Sequence, residues 1–206
     1  MSNLTNSQNK VSARPISTKR LTILPLFHIK AQAILDYHTR NRDFLKPTSP
    51  SAVSDFFTEA YWQRRIWQAR QDWENQKSAL FVLTEKQGEA VIGSVNFNQM
   101  IKGVMQSCFL GYSLDQDFQS KGYMTEALTS LIEHIFADWE LHRIQANYLP
   151  SNMASARVLE KLGFEKEGYA KNYLRINGQW QDHVLTAKIN PEEDKDPLSS
   201  SDGFEN

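Results

Sequence analysis

Cysteine is nearly absent: Cys108 is the one cysteine in 206 residues, which excludes an internal disulfide and any cysteine-rich zinc site. In a strand-like stretch it reads as a small buried hydrophobe. His28, His38, His134, His142 and His183 lack metal-ligand spacing, so no metal is expected. No apolar run approaches the length of a membrane span, and the opening MSNLTNSQNKVSARP has no apolar core of the kind a secretory signal carries. No membrane partner is expected. Net charge is missing as well. With 23 Lys+Arg against 24 Asp+Glu the chain stands at −1, so no global positive field gathers DNA, and any nucleic-acid contact has to be a local patch. Acidic residues are absent before Asp36, where Lys10, Arg14, Lys19, Arg20 and Lys30 occur. That is a trait of transit peptides, but a polar lead-in to the first strand is the better reading, and the expected location is cytoplasmic. Two nucleotide-binding patterns are also lacking. There is no G-x-x-x-x-G-K-S/T run and no G-x-G-x-x-G after the first strand, which argues against a P-loop and a dinucleotide fold.

What is present suits one globular α/β domain. At 40% hydrophobic and 23% charged, the composition is far from that of a disordered or fibrous chain. Residues 1–17 are Ser/Asn-rich and read as a flexible lead. Residues 191–206 set six carboxylates against Lys195 and read as a disordered acidic tail. The folded domain is expected over 18–190. Within it, Arg20–Pro25, Ala79–Thr84, Ala90–Gln99 and Ser107–Leu114 are strand-like, with a turn at Gln87-Gly88. Residues 28–39 and 55–74 read as helices, the latter with Trp62, Ile66, Ala69 and Trp73 as its apolar stripe. That stripe is core rather than a nucleic-acid platform, which assigns Arg64, Arg65 and Arg70 to the solvated face. Met124, Ala127, Leu128, Leu131, Ile132, Ile135, Phe136 and Trp139 form one continuous helical face. A strand Arg143–Leu149 and a helix from Met153 to a glycine stop at Gly163 follow. Strands Gly168–Ile176 and Gln179–Lys188 meet at Asn177-Gly178, a hairpin signal. Alternating strands and helices closed by a hairpin predict a mixed sheet rather than a purely parallel one.

The informative segment lies between a strand and the long helix: Leu114-Asp115-Gln116-Asp117-Phe118-Gln119-Ser120-Lys121-Gly122-Tyr123-Met124-Thr125-Glu126-Ala127. A loop entering a helix offers unpaired N–H groups and the positive end of the helix dipole, which suits a phosphate. Gly122 lets backbone approach a ligand closely, and Lys121 adds a positive charge. Taken alone, a glycine and a lysine before a helix are as compatible with a turn and a solvated charge.

Gln119-Ser120-Lys121-Gly122-Tyr123-Met124 resembles the pyrophosphate loop of the GNAT N-acetyltransferases, Gln/Arg-x-x-Gly-x-Gly/Ala, with Met124 in place of the final small residue. Downstream, Asn152-Met153-Ala154-Ser155 through Leu162-Gly163-Phe164 resembles the second signature of that superfamily, in the same order and at a similar separation. The resemblance narrows to the RimJ-type ribosomal-protein alanine acetyltransferases. It is carried by Thr18-Lys19-Arg20-Leu21, Asn41-Arg42-Asp43-Phe44-Leu45-Lys46-Pro47, His142-Arg143-Ile144, Ala146-Asn147-Tyr148, Gly163 to Lys171 and Gly178 to Thr186. It implies a GNAT-type splayed, mixed sheet flanked by helices, and acetyl-CoA as acetyl donor. The donor would be bound by Gln119, Ser120, Lys121, Gly122, Tyr123, Met124 and Thr125, by backbone groups of Tyr112 and Leu114, and by Asn152. The implied acceptor is the N-terminal α-amine, Ala or Ser, of a ribosomal protein.

Acetyl transfer needs a neutral amine, a polarised thioester and a proton for the leaving thiolate. Where many GNAT enzymes carry a tyrosine as proton donor this chain has Leu159, and the resemblance nominates Ser155 instead, with helix capping as its alternative role. The position of a relative's base falls near Leu174, which does not ionise, leaving Asp182, Glu167 and His183 as nominees beside a water relay. The acceptor pocket is expected from residues 41–50, 96–104 and 170–183. Two other functions stay open at this point: acetylation of a small amine such as a polyamine or antibiotic, and a weakly catalytic CoA-binding, ribosome-associated module.

Overall fold

The computed structural model describes residues 12–192. The proposed flexibility of 1–11 and of the acidic tail 193–206 lies outside the described residues. One eight-stranded sheet organises the chain, in the order β1-β2-β3-β4-β5-β6-β8-β7. Its strands are β1 (Ile16–Ser17), β2 (Leu21–Pro25), β3 (Ala79–Glu85), β4 (Val91–Ile101), β5 (Ser107–Leu114), β6 (Arg143–Gln145), β7 (Glu165–Ile176) and β8 (Gln179–Ile189). The short β1 pairs with β2, so ordered structure begins within the stretch expected to be a flexible lead. The helices are α1 (Ala31–Arg40), α2 (Arg42–Leu45), α3 (Glu59–Glu74), α4 (Tyr123–Trp139) and α5 (Met153–Lys161).

Helix α4 keeps its predicted apolar face. Met124, Ala127, Leu128, Leu131, Ile132, Ile135, Phe136 and Trp139 are all buried, against Ile23, Phe81, Leu83, Val95, Phe97 and Leu110 on one face of the sheet. The other face carries α1 and α3, where Ile34, Tyr37, Trp62 and Ala69 pack on Val82 and Val91. Several boundaries differ from expectation, among them the start of β7, which lies at Glu165 rather than Gly168. Helix α3 starts at Glu59 because the Thr58 side chain accepts a hydrogen bond from Tyr61 N, which caps it there. Helix α1 starts at Ala31, after a 3-10 turn at Leu26–His28. The strand expected over 143–149 ends at Gln145, and only an isolated bridge, Tyr148 to Val184, continues it.

That early end positions the site. β5 and β6 are parallel and pair only from Ser107–Arg143 to Phe109–Gln145, while every other strand pair is antiparallel. Beyond Phe109, β5 stays bonded to β4 on one side and opens on the other. Asp115 N donates to Ile92 O. Alternation along the antiparallel ladder then turns the backbone groups of Tyr112 and Leu114 away from β4, into the gap.

Candidate active site

The loop from β5 into α4 is held by two braces. The carboxylate of Asp115, which is 2% exposed, accepts from Arg40 Nε at 2.6 Å, from Asn41 Nδ2 at 2.9 Å and from Asp117 N at 3.0 Å. Asn41 is fully buried, and its Oδ1 accepts from Gln116 N at 3.1 Å. The end of α1 is thus latched to the start of the loop. Burial alone would raise the Asp115 pKa, but Asn41, Asp117 N and Arg40 together hold it below the usual carboxylate value. The second brace is Glu126, in the first turn of α4. It accepts from Thr18 Oγ1 at 2.7 Å, from Arg20 N at 2.7 Å and from Arg20 Nε at 2.6 Å. Burial would raise its pKa too; these three donors lower it. Arg20 also donates to Lys121 O at 2.9 Å and lies 4.1 Å over the Tyr123 ring, whose hydroxyl donates to Glu85.

Between the braces the backbone takes two left-handed steps, Ser120 at φ 60° and Gly122 at φ 79°. A Cβ on Gly122 would meet only Arg20 Nη2, at 3.5 Å, so it is the backbone angle rather than crowding that favours glycine there. Gly122 is the N-cap of α4 and contributes no side-chain acceptor, and the helical ladder begins with Glu126 N on Gly122 O. The N–H groups of Tyr123, Met124 and Thr125 therefore lead the helix without a cap. Met124 is buried and belongs to the core, so its side chain plays no part in the loop's outer surface. Gln119 Nε2 donates to Leu114 O at 2.9 Å, tying the loop back onto the end of β5. The Lys121 ammonium folds onto its own loop, donating to Asp117 O at 2.7 Å.

Across the gap, Asn152 caps α5: its Oδ1 accepts from Ser155 N at 3.1 Å. The capping role considered for Ser155 therefore belongs to Asn152. The Ser155 hydroxyl points elsewhere, to the Tyr112 hydroxyl at 2.8 Å. Burial pushes the Tyr112 pKa up to about 12, against the lowering effect of the Ser155 hydrogen bond, so this pair is neutral and fully protonated near pH 7. Both residues line a cleft of about 1000 Å³, whose walls also include Asn147, Ser94, Asn96 and much of the segment 42–57. Of the regions expected to form the acceptor pocket, 41–50 lines it extensively and the lining runs on through Val53, 96–104 contributes Asn96 alone, and 170–183 contributes Asn177 and His183.

The nominated bases are dispersed. Asp182 is half-buried and accepts from Asn172 N at 2.8 Å and from Tyr169 OH at 2.7 Å; neither it nor Glu167, which is paired with Arg143, lines the cleft. Of the nominees only His183 does, buried and with Nδ1 3.1 Å from Gln181 O. Leu174 is exposed on β7. Among the described residues no group of three or more His, Cys, Asp or Glu is placed to hold a metal ion. No described helix is long and apolar enough to cross a membrane.

Sequence reasoning missed the Tyr112 hydroxyl and both braces. Thr18, Arg20, Arg40 and Asn41 were visible only as members of family-like stretches, and Glu126 and Asp115 only as flanks of the loop. The partners stand 74 to 108 residues apart, beyond the reach of any local pattern. The donor set fits acetyl-CoA: uncapped amides at a helix N-terminus suit a diphosphate, and an open strand edge suits an extended, amide-bearing arm.

The acetyltransferase (GNAT) domain model matches residues 20–165. Over 177 residues the chain is 40% identical to the ribosomal protein uS5-alanine N-acetyltransferase of Escherichia coli (strain K12), covering 86% of this chain and 91% of that protein. The solved ribosomal-protein-S5-alanine acetyltransferase of Vibrio fischeri matches with a TM-score of 0.82 at 37% identity, over 87% of this chain and 98% of that one. RimJ of Mycobacterium smegmatis, solved in complex with CoA-disulfide, matches at 0.79 and 26% identity, over 88% and 89%.

Proposed function

This chain belongs to the GNAT acetyltransferase family, and we propose that it acetylates the N-terminal α-amine, Ala or Ser, of a ribosomal protein. The observation that carries the acceptor is the 40% identity, over most of both chains, to a protein named for alanine acetylation of uS5. An acceptor of that kind implies a cytoplasmic reaction. The catalytic domain spans 18–190 in this reading, with β1 added at its start.

Acetyl-CoA, when bound, supplies the thioester that donates the acetyl group. The loop Gln119–Gly122 and the amides of Tyr123, Met124 and Thr125 hold the diphosphate. Backbone groups of Tyr112 and Leu114 hold the arm and polarise the thioester carbonyl. Asn152 spends Oδ1 on the α5 cap, which leaves Nδ2 to donate to the arm. Ser155 Oγ gives its proton to the departing sulfur, and the buried Tyr112 hydroxyl orients it. An α-amine has a pKa near 8, so roughly a tenth is neutral at pH 7 and a dedicated carboxylate base is dispensable. A water relay beside His183 suffices to carry the proton away.

Incubation with acetyl-CoA and Ala-first or Ser-first peptides, with polyamines in parallel and mass spectrometry as readout, tests the proposal. Acetyl at the peptide α-amine is the expected result. Turnover of small amines alone would make the chain a small-molecule acetyltransferase on the same donor site. Acetyl-CoA binding with no transfer to any amine would leave a CoA-binding module.

A further inference from the structure

The cleft carries charge that the acetyl transfer does not use. Arg65, expected on the solvated face of α3, is half-buried and lines the cleft instead. Arg42 and Lys46 line it as well, with the Arg42 guanidinium 4.4 Å above the Phe57 ring. Elsewhere four arginines are matched, Arg20 with Glu126, Arg40 with Asp115, Arg64 with Asp55 and Arg143 with Glu167, while Arg14, Arg70, Arg157 and Arg175 join no described carboxylate. Among the described residues no ion pair joins Arg42, Lys46 or Arg65 to a carboxylate. Asp43 is the one carboxylate in the lining against these three cations.

We propose that this wall reads an acidic side chain within the first few residues of the acceptor, with Arg65 as its principal contact. The inference rests on the acceptor being a protein N-terminus. Coenzyme phosphates do not account for the cations, because none of residues 119–124 lines this cleft. A half-buried guanidinium without a counter-ion is a poor host for a polycation and a good one for a carboxylate, which it can bind through two parallel hydrogen bonds. The same field disfavours the ammonium form of the incoming amine, so a neutral amine meets the Tyr112–Ser155 pair in the cleft. Asn177 Nδ2, at the tip of the β7–β8 hairpin, donates to Lys46 O at 2.8 Å, which fixes the cationic segment against the hairpin.

The test uses Ala-first peptides carrying Glu, Gln or Lys at positions two to five. Binding is read by fluorescence anisotropy on CoA-saturated enzyme, and transfer by mass spectrometry. The Glu peptide is expected to exceed the Gln peptide by about tenfold in affinity and in kcat/KM, with Lys weakest, and the gap should shrink with salt. Arg65→Gln should close most of the gap and Arg65→Glu should reverse it toward Lys. Equal binding of Glu and Gln peptides by the unaltered protein at low salt would overturn the proposal, as would an acid preference that survives Arg65→Glu. Acid-selective binding without transfer would retire the proposed reaction and leave the anion-reading cleft standing. Transfer without acid selectivity would do the reverse.

Discussion

The two sides of the gap beside β5 are built differently. The donor side, from Asp115 to Glu126, is clamped at both ends by carboxylates that each accept three hydrogen bonds, and its polar contacts reach to Thr18, Arg20, Arg40 and Asn41. The acceptor side, from Arg42 to Phe57, consists of a four-residue helix, a 3-10 turn and a stretch with no regular structure, where Phe44 and Val53 stay exposed and Arg42 and Lys46 join no described carboxylate. A site that must hold one cofactor in every turnover gains from preorganised backbone donors. One that must admit a chain end and release it is better served by exposed, loosely bonded segments. In the proposed reading, coenzyme binding falls to the braced half and acceptor choice to the other.

The largest expected effect lies where the two halves meet. If Ser155 protonates the leaving thiolate, Ser155→Ala should lower kcat by on the order of 100- to 10,000-fold and leave acetyl-CoA affinity nearly unchanged. Because Asn152 is the cap of α5, thermal stability should hardly move, which separates this outcome from a folding defect. A normal kcat in the variant would end the catalytic assignment and pass the proton to water or to Tyr112.

Next comes the donor brace. Asp115→Ala leaves the fully buried Asn41 amide, Asp117 N and the Arg40 guanidinium without their shared acceptor. Loss of a buried charged partner costs about 3 kcal/mol, equivalent to a fall in Tm of roughly 6–12 °C for a chain of this size. Acetyl-CoA affinity should fall with it, since Asp115 begins the loop. Calorimetry on the variant with unchanged Tm would show the two halves to be no different in rigidity.

How much of this was legible follows the same division. The apolar face of α4, the limits of β5 and the Asn177-Gly178 turn follow from periodicity and local turn chemistry, which are properties of neighbouring residues. The loop itself could be located because its resemblance is contiguous. The end of β6 at Gln145 was not legible, because Ile144, Ala146 and Tyr148 keep the alternation of a strand while the chain leaves its partner. Nor was the turn of Arg65 into the cleft. Helical spacing puts it beside the apolar stripe, and only the packing of α3 near 42–57 decides whether that flank meets water or the cleft.

A smaller effect is expected on acidification, and it probes the acceptor half. His38 lines the cleft, stacks on Trp62 with centroids 4.7 Å apart, and has its pKa lowered to about 4 by burial. The folded state therefore binds this proton less readily than the unfolded chain. Its contribution to stability is complete above the unfolded pKa of about 6.5 and is lost as pH falls from there toward 4. The loss is on the order of 3 kcal/mol, and His38→Gln should flatten that part of the stability–pH curve. An unchanged slope between pH 6.5 and 4 in the variant would mean that some other group drives the acid loss.

The smallest effect is expected at Lys121, although its charge beside a phosphate loop makes it the conspicuous cation of the donor half. Its ammonium is already engaged by Asp117 O and lies over the Phe118 ring at 5.6 Å, on an exposed part of the loop. The donors that face outward at the start of α4 are backbone amides, and Lys121→Gln leaves them, both braces and the left-handed turns at Ser120 and Gly122 in place. An exposed charge near a phosphate contributes about 0.3–1 kcal/mol, less as salt rises. Titration calorimetry should accordingly find acetyl-CoA affinity reduced by no more than about fivefold, and by less at high ionic strength. A loss of a hundredfold would mean that the ammonium leaves Asp117 O to bind the diphosphate directly. The donor half would then depend on a mobile side-chain charge as well as on its fixed backbone.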